Sequence, residues 1–406
     1  MFVNKIIRPL YRKFRGEILQ SLIPCSKSLP VVDANHAIEV IGFFESFSGI
    51  GESARLCAKA LKKAGYNVKC TSVEQTFRKK PDAVWTFDNA PETMKTGLRI
   101  FHLNPPMMPP VIVAMGIKNF RSTYNIGYWA WELEEIPSEW IKGTKYMNAI
   151  MTPSDFTSNV IRKYTDKPVE TVLHPVEIDM AHVTMQMREK LGIAKETLMI
   201  STIFSFGSAM ERKNPQAVIA AFQKAFTPED DAVLILKSNS GTPEQKTDIE
   251  KLCGAHKNIR LCDGFWQREE TQGLLACSDL YLSLHRSEGF GLTIAEAMLM
   301  NVPVMVTNWS GNTGFCTPDN SFLIDYKRVP VISTHPEFKG LKNLTWAEAD
   351  TDQAAKILQD IKADRSKLDY MKQNVRKSLE RSLIQQNYER ALLNGSTKIK
   401  EEREAL

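Results

Sequence analysis

No two of the seven cysteines, at 25, 57, 70, 253, 262, 277 and 316, form a C-x-x-C pair. Odd in number and widely scattered, they argue for a reducing compartment and against a disulfide framework or a zinc site. The seven histidines give no H-E-x-x-H or other ligand spacing. No apolar run approaches the roughly 18 residues that a membrane span needs. Short-period repeats and low-complexity stretches are missing as well. What is present is ordinary globular material, 43% hydrophobic and 24% charged, so disorder, collagen and coiled coil are excluded as the main architecture. With 406 residues the chain is long enough for two or three domains, or for one large α/β unit.

The net charge is +5, and it is concentrated. Residues 1–30 hold Lys5, Arg8, Arg12, Lys13, Arg15 and Lys27 against Glu17 alone, so the other residues are neutral overall. A nucleic-acid protein would stripe its basic charge over a folded face, and none is evident, so no nucleic-acid partner is expected. Within residues 1–24, Val3, Ile6, Ile7, Leu10, Phe14, Ile18 and Leu22 recur near helical spacing with the basic residues between them. The apolar positions are too interrupted for a secretory signal. Such a basic amphipathic helix either lies on an anionic membrane surface or packs on protein. The expected location is cytoplasmic, with residues 1–24 either in peripheral contact with the inner-membrane surface or packed on protein.

From residue 31 the pattern alternates strands and helices. Strands are predicted at 37–44, 68–72, 82–87, 99–103, 124–129, 149–152 and 170–173, with helices at 53–64 and 155–164. The rhythm breaks at 174–180 and a second series follows. Its strands are predicted at 198–205, 232–238, 259–261, 280–284 and 304–307, and its helices at 215–225, 271–277 and 292–300. A charged helical tail runs from 352. Short apolar runs separated by helices indicate buried parallel strands, hence two doubly wound α/β units joined near residue 180.

The most informative stretch is SEGFGLTIAEAMLMNVPVMV, residues 287–306. It leaves the C-terminal end of a predicted strand and opens a helix, which is where open α/β sheets bind ligands. Gly289 and Gly291 allow a close backbone approach, and the helix start offers N–H groups to a phosphate. Glu288 and Glu296 can accept hydrogen bonds from sugar or ribose hydroxyls. The plainer alternative is that both only stabilise the positive helix end.

The pattern E-G-F-G-L-x-x-x-E-A-M followed by P-V resembles the E-x(7)-E signature of retaining glycosyltransferases with two Rossmann-like domains, glycosyltransferase family 4, group 1. Arg286, the run Asn308-Trp309-Ser310-Gly311-Asn312, and Glu211-Arg212-Lys213-Asn214-Pro215 resemble its bacterial mannosyltransferase-like branch, which builds surface polysaccharides. The resemblance implies a GT-B fold: two Rossmann-like domains facing each other across a cleft, with a C-terminal helix crossing back to the first. The corresponding boundaries are 1–30 for the basic segment, 31–180 for an acceptor-side domain, 181–385 for a nucleotide-sugar domain and 386–406 for the C-terminal helix.

It further implies that Glu288 meets the hydroxyls of the transferred sugar and Glu296 the ribose. Gly289, Phe290, Gly291, Leu292 and Thr293 would face sugar and phosphate, with Arg212 and Lys213 on the diphosphate. In the first domain, SGIGESAR at 48–55 resembles the glycine-rich donor loop, through Gly49 and Gly51. His102 and Asn104 compete for the acceptor side, and Trp131 and Glu132 are acceptor-binding candidates, against the alternative of a half-buried aromatic core.

The implied activity is transfer of a hexose, with GDP-mannose the leading donor, to a saccharide or lipid-linked saccharide. No cofactor and no metal are expected, since Arg and Lys meet the diphosphate charge. Two departures stand out. Ser310-Gly311-Asn312-Thr313-Gly314 replaces the G-G-x-x-E of many relatives, and Phe206-Gly207-Ser208 replaces their Gly-Arg. These keep a second reading alive: a non-catalytic sugar-nucleotide-binding or scaffold subunit.

Overall fold

A computed structural model describes residues 23–393, apart from 83, 334, 339, 340 and 342. The expectations for residues 1–22 and for 394 onward therefore lie outside the described residues. The described residues form two compact units, one of those up to 175 together with those from 385, the other of 176–384.

In the first unit, β1 (His36–Gly42), β2 (Val68–Ser72), β3 (Lys95–Phe101), β4 (Tyr124–Tyr128), β5 (Ala149–Thr152) and β6 (Val169–Thr171) form a sheet in the order 2-1-3-4-5-6. Every pairing in it is parallel. Its inner strands β1, β3, β4 and β5 are mostly buried, as in βαβ folds where helices cover both faces. Helix α1 (Gly49–Lys63) lays Ala54, Cys57, Ala58 and Leu61 into the core beside Val40, Leu98 and Ile126. The same core contains Tyr388, Ala391 and Leu392, so residues beyond 385 return to complete it.

The second unit repeats the architecture. Strands β7 (Leu198–Ile203), β8 (Ala232–Ser238), β9 (Ile259–Asp263), β10 (Leu280–Ser283), β11 (Val304–Thr307) and β12 (Phe322–Ile324) run in the order 12-11-10-7-8-9. Again every pairing is parallel. All seven residues of β8 are buried, as expected for a central strand. Helices α2 (Met210–Lys213), α3 (Pro215–Ala225), α4 (Pro243–Cys253), α5 (Arg268–Cys277), α6 (Leu292–Leu299), α7 (Thr351–Ala363) and α8 (Ser366–Gln385) accompany them. An antiparallel hairpin, β13 (Tyr326–Pro330) with β14 (Thr345–Ala349), is added outside the sheet.

Three local expectations need correction. The described residues of 82–87 form no strand. Trp85 instead stacks on Phe44 at 5.5 Å and on Phe87 at 5.7 Å, with the Lys59 and Lys62 ammonium groups over the two rings. Helix α1 starts at Gly49 rather than 53, capped by the Ser48 hydroxyl, which accepts from the Gly51 N–H at 3.2 Å. Helix α4 was not anticipated, although Thr242 and Gln245 form a reciprocal capping box that announces it.

Candidate active site

In open α/β sheets the ligand crevice opens beyond the carboxyl ends of the strands, where the strand order reverses. The second sheet reverses between β7 and β10. The segment after β7 leads to Arg212 and Lys213, and the segment after β10 leads to Glu288. The topology thus joins residues 75 positions apart. Lys213 Nζ donates to Glu288 Oε1 at 2.5 Å, and an Arg212 guanidinium nitrogen lies 3.1 Å from Oε2. The same nitrogen donates to the Ser287 carbonyl at 2.8 Å.

Glu288 is 7% exposed. Burial pushes its carboxyl up, but the charges of Lys213 and Arg212 outweigh it and hold the group at about 2. It is therefore an anion at neutral pH. Two cations around one carboxylate leave a net positive site, which suits a further anion.

The backbone of Glu288 is held from behind. Its N–H donates to Ser310 Oγ at 2.8 Å, and its carbonyl accepts from the Gly311 N–H at 2.8 Å. A Cβ on Gly311 would lie 2.3 Å from the Gly289 carbonyl oxygen, so only glycine lets these two backbones touch. His285, fully buried, sits below. Its Nε2 faces Asn312 Oδ1 at 2.9 Å while the Asn312 amide donates to the Thr307 carbonyl. Nε2 must then carry the proton, leaving Nδ1 to accept from the Ser283 hydroxyl at 3.1 Å. Burial lowers the His285 pKa, so the ring is neutral, a positioning group rather than a base.

Helix α6 opens at Gly291, whose φ of 100° leaves the first-turn N–H groups without a side-chain cap. The buried Tyr281 hydroxyl donates to Thr293 Oγ1 at 2.8 Å, so the Thr293 proton remains available to donate. Glu296 lies 3.7 Å from Arg268, on the same helix face region as Thr293. Phe290 is buried against Phe315, at 4.9 Å between ring centroids, and packs the loop rather than facing outward.

A brace was not foreseen. Glu348 on β14 accepts from Arg286 Nε at 2.6 Å and from the Asn214 amide at 3.0 Å. Arg286 also donates to the Glu211 carbonyl at 2.8 Å. The hairpin thereby ties the two segments that carry Glu288 and Lys213. The sequence contains one D-x-D triplet, Asp350-Thr351-Asp352, and it is a helix cap: Asp350 accepts from the Asp352 and Gln353 N–H groups at the start of α7.

The first sheet reverses between β1 and β3, and the remaining candidates follow those strands. Gly49 is exposed at the start of α1. Gly51 belongs to the helix rather than to a loop. A Cβ there would lie 2.5 Å from the Phe43 carbonyl oxygen and 2.6 Å from that of Ser46, so its bareness serves the chain's own turn. Arg55 fastens that turn, donating to the Phe44 and Ser46 carbonyls and pairing with Glu52.

His102 is 1% exposed, with Nδ1 2.7 Å from the Ser53 hydroxyl and its ring stacked on Tyr128 at 4.5 Å. Burial and the nearby His174 hold its pKa well below the usual value. This places His102 in the interior, not at an acceptor surface. Trp131 needs the same correction: it is fully buried, donates its indole N–H to the Glu135 carbonyl at 2.8 Å and packs on Trp140. Apolar rings at a strand end favour the core over an exposed face. Glu132 is half-buried beside it, and Asn104 is 9% exposed at the turn after β3.

Comparison with known proteins agrees with the geometry of the second unit. A family profile described as Glycosyl transferases group 1 matches residues 201–331. The chain is 25% identical over 226 residues to N-acetyl-alpha-D-glucosaminyl L-malate synthase of Bacillus anthracis, across 55% of this chain and 53% of that protein. It therefore spans about half the length of the curated relative it matches. Among solved structures, HepE of Anabaena in complex with UDP and glucose is 12% identical with a TM-score of 0.58, over 91% of this chain and 100% of that one. Sucrose-phosphate synthase of Thermosynechococcus elongatus has a TM-score of 0.62 at 12% identity, over the same shares. WaaG, a glycosyltransferase involved in lipopolysaccharide biosynthesis, has a TM-score of 0.55 at 14% identity, over 85% of this chain and 95% of that one. The chain thus shares the fold of these glycosyltransferases, and its stretch 201–331, which contains the E-x(7)-E loop, is similar to the glycosyl transferases of group 1.

Proposed function

We propose that this protein is a glycosyltransferase that moves a hexose from a nucleotide sugar to a hydroxyl of a saccharide or lipid-linked saccharide, with retention of anomeric configuration. The observation that carries the reading is the meeting of Arg212, Lys213 and Glu288 at the reversal point between β7 and β10. A departing nucleoside diphosphate gains negative charge in the transition state. Fixed cations and the N–H groups opening α6 are aimed at that charge before it develops, so little reorganisation is needed. The Thr293 hydroxyl, oriented by Tyr281, donates to the same phosphates or to the sugar. Glu288 accepts from the sugar's hydroxyls, and Glu296 from the ribose.

In the transfer step the bond from the anomeric carbon to the phosphate oxygen breaks. The acceptor oxygen bonds to the same face of that carbon, and its proton passes to the departing phosphate. No metal enters this scheme, because Arg212 and Lys213 supply the positive charge. GDP-mannose is the donor suggested by the branch that the sequence resembles. A UDP-sugar is the second reading, favoured by HepE, whose structure holds UDP and glucose.

Thermal unfolding with GDP, UDP, dTDP, CDP and ADP, with and without EDTA, tests the proposal. At 100 times its dissociation constant the right nucleotide should add about 2.7 kcal/mol. The shift should occur with one base, survive EDTA and disappear in Lys213→Ala. No shift with any nucleotide would sink the donor-site reading and favour a scaffold.

Contact with an anionic membrane through residues 1–24 belongs to the same proposal. The described chain begins where that segment joins the first unit, and Ser26 Oγ donates to the Arg121 carbonyl at 2.8 Å. The helix bearing Arg121, Ile117–Arg121, exposes Ile117 and Lys118 alongside. Among the described residues no helix is long and apolar enough to cross a membrane. Co-sedimentation with phosphatidylglycerol vesicles should be salt-sensitive and should fall at least fivefold on deleting residues 2–22, at about 1 kcal/mol per basic residue lost. Equal sedimentation of the truncated chain would refute it.

A further inference from the structure

Among the described residues, seven that are not glycine have a positive φ, and three of them (Ala209, Asn214 and Ser310) surround the site. Ala209 and Asn214 occupy the ordinary left-handed region, on either side of α2. Ser310 does not. Its φ of 73° with ψ of −146° falls in a region open essentially to glycine alone. A serine here accepts backbone strain that a glycine would avoid. Such outliers persist where the surroundings over-determine them, and they cluster at functional sites.

The hydroxyl supplies the reason. Ser310 is 4% exposed. Its Oγ donates to the Trp309 carbonyl at 2.5 Å, which fixes the hydroxyl proton away from Glu288 and turns a lone pair toward the Glu288 N–H, 2.8 Å away. The next residue, Gly311, holds the Glu288 carbonyl. The N–H and the C=O of Glu288 are thus held by two consecutive residues, while Lys213 holds the carboxylate and Arg212 holds the carboxylate and the Ser287 carbonyl. When a diphosphate draws those two cations, the hold of residues 310 and 311 is what remains to aim the carboxylate.

We propose that Ser310 is a positioning residue for the donor sugar: held in a glycine-type backbone conformation, its hydroxyl locks the main chain of Glu288 so that the carboxylate is presented to the transferred sugar. The inference rests on the donor-site reading above and deepens it. It separates two tasks within one loop. Arg212 and Lys213 bind the nucleoside diphosphate, and Ser310 governs what the sugar adds.

The test uses the full chain as wild type, Ser310→Gly and Ser310→Ala, titrated calorimetrically with UDP and UDP-glucose and with GDP and GDP-mannose. Ser310→Gly relieves the strain and should melt no lower than wild type. It should bind the nucleoside diphosphate within about twofold of wild type, yet its affinity for the sugar nucleotide relative to the diphosphate should fall on the order of tenfold, the size of one lost positioning hydrogen bond. Ser310→Ala keeps the strain without the hydroxyl, so it should lose the same ratio and also melt lower. A purely structural role would move the melting temperature and leave the ratio alone. An unchanged ratio in Ser310→Gly, with nucleotide still bound, overturns the inference and leaves the donor site standing. Wild type that binds none of the four ligands overturns both.

Discussion

Glu288→Gln should tighten the binding of a nucleoside diphosphate while abolishing sugar transfer. The Glu288 carboxylate engages the two cations that the proposed function assigns to the diphosphate, with Lys213 at 2.5 Å and Arg212 at 3.1 Å. Removing its charge frees both for the ligand, and affinity for the diphosphate should rise about tenfold, about 1.4 kcal/mol. The same change leaves two cations close together in a buried loop, so the unliganded variant should lose roughly 3 kcal/mol of stability. Nucleotide should restore it, giving a larger ligand-induced shift in melting temperature than wild type shows. Transfer should fall on the order of 10²–10³-fold, the usual scale for losing one electrostatic group from a reacting centre. Calorimetric titration and melting curves on both proteins decide it. A shift in Glu288→Gln no larger than that of wild type would show that the carboxylate does not compete with the ligand.

Acid should open the first unit before the second. His174 is buried, and burial lowers its pKa to about 3, with the charge of Glu52 opposing the shift only weakly. The His102 pKa is lowered by the same burial. Both folded-state values lie below the unfolded value of 6.5, so the unfolded chain binds more protons under acid. Stability is complete above pH 6.5 and drains as pH falls toward about 3. For His174 alone the loss reaches about 5 kcal/mol, at about 1.4 kcal/mol per unit. The second unit has a single such group, His285, and the Glu288 window lies lower, between 4.5 and about 2. Hydrogen exchange followed by mass spectrometry at pH 7.5 and 5 should show β1, β3 and β4 losing more protection than β7, β8 and β10. Equal losses in both sheets would mean that the two histidines are not what acid attacks.

Much of this was readable in the chain. The apolar strand runs and their alternation with helices foretold two parallel sheets. The E-x(7)-E stretch foretold the loop between β10 and α6, because glycines, carboxylates and a helix start coincide there over a few residues. What escaped were contacts between residues far apart in sequence. Nothing local pairs Arg286 with Glu348, 62 positions on, or sets Ser310 against Glu288. The burial of His102 and Trp131 was not legible, because periodicity says that a residue ends a strand, not whether its ring turns to the core or to solvent. Residues 82–87 had the look of a strand, yet Trp85 and Phe87 spend their rings on stacking rather than on a sheet.

The return of the chain to the first unit shapes the order of folding. The Leu173 N–H donates to the Gln386 carbonyl at 2.9 Å, and Tyr388 fills the core against Tyr128 and His102. Residues 176–384 are contiguous and can fold as soon as they leave the ribosome. The earlier-made half must instead wait, its core unsealed, through the translation of more than two hundred residues. The loop closed by that last contact is long, which slows the step that completes the unit. The nascent first unit is therefore the stretch most exposed to chaperones and proteases, and the region from 385 to 393 is the plug that ends that exposure.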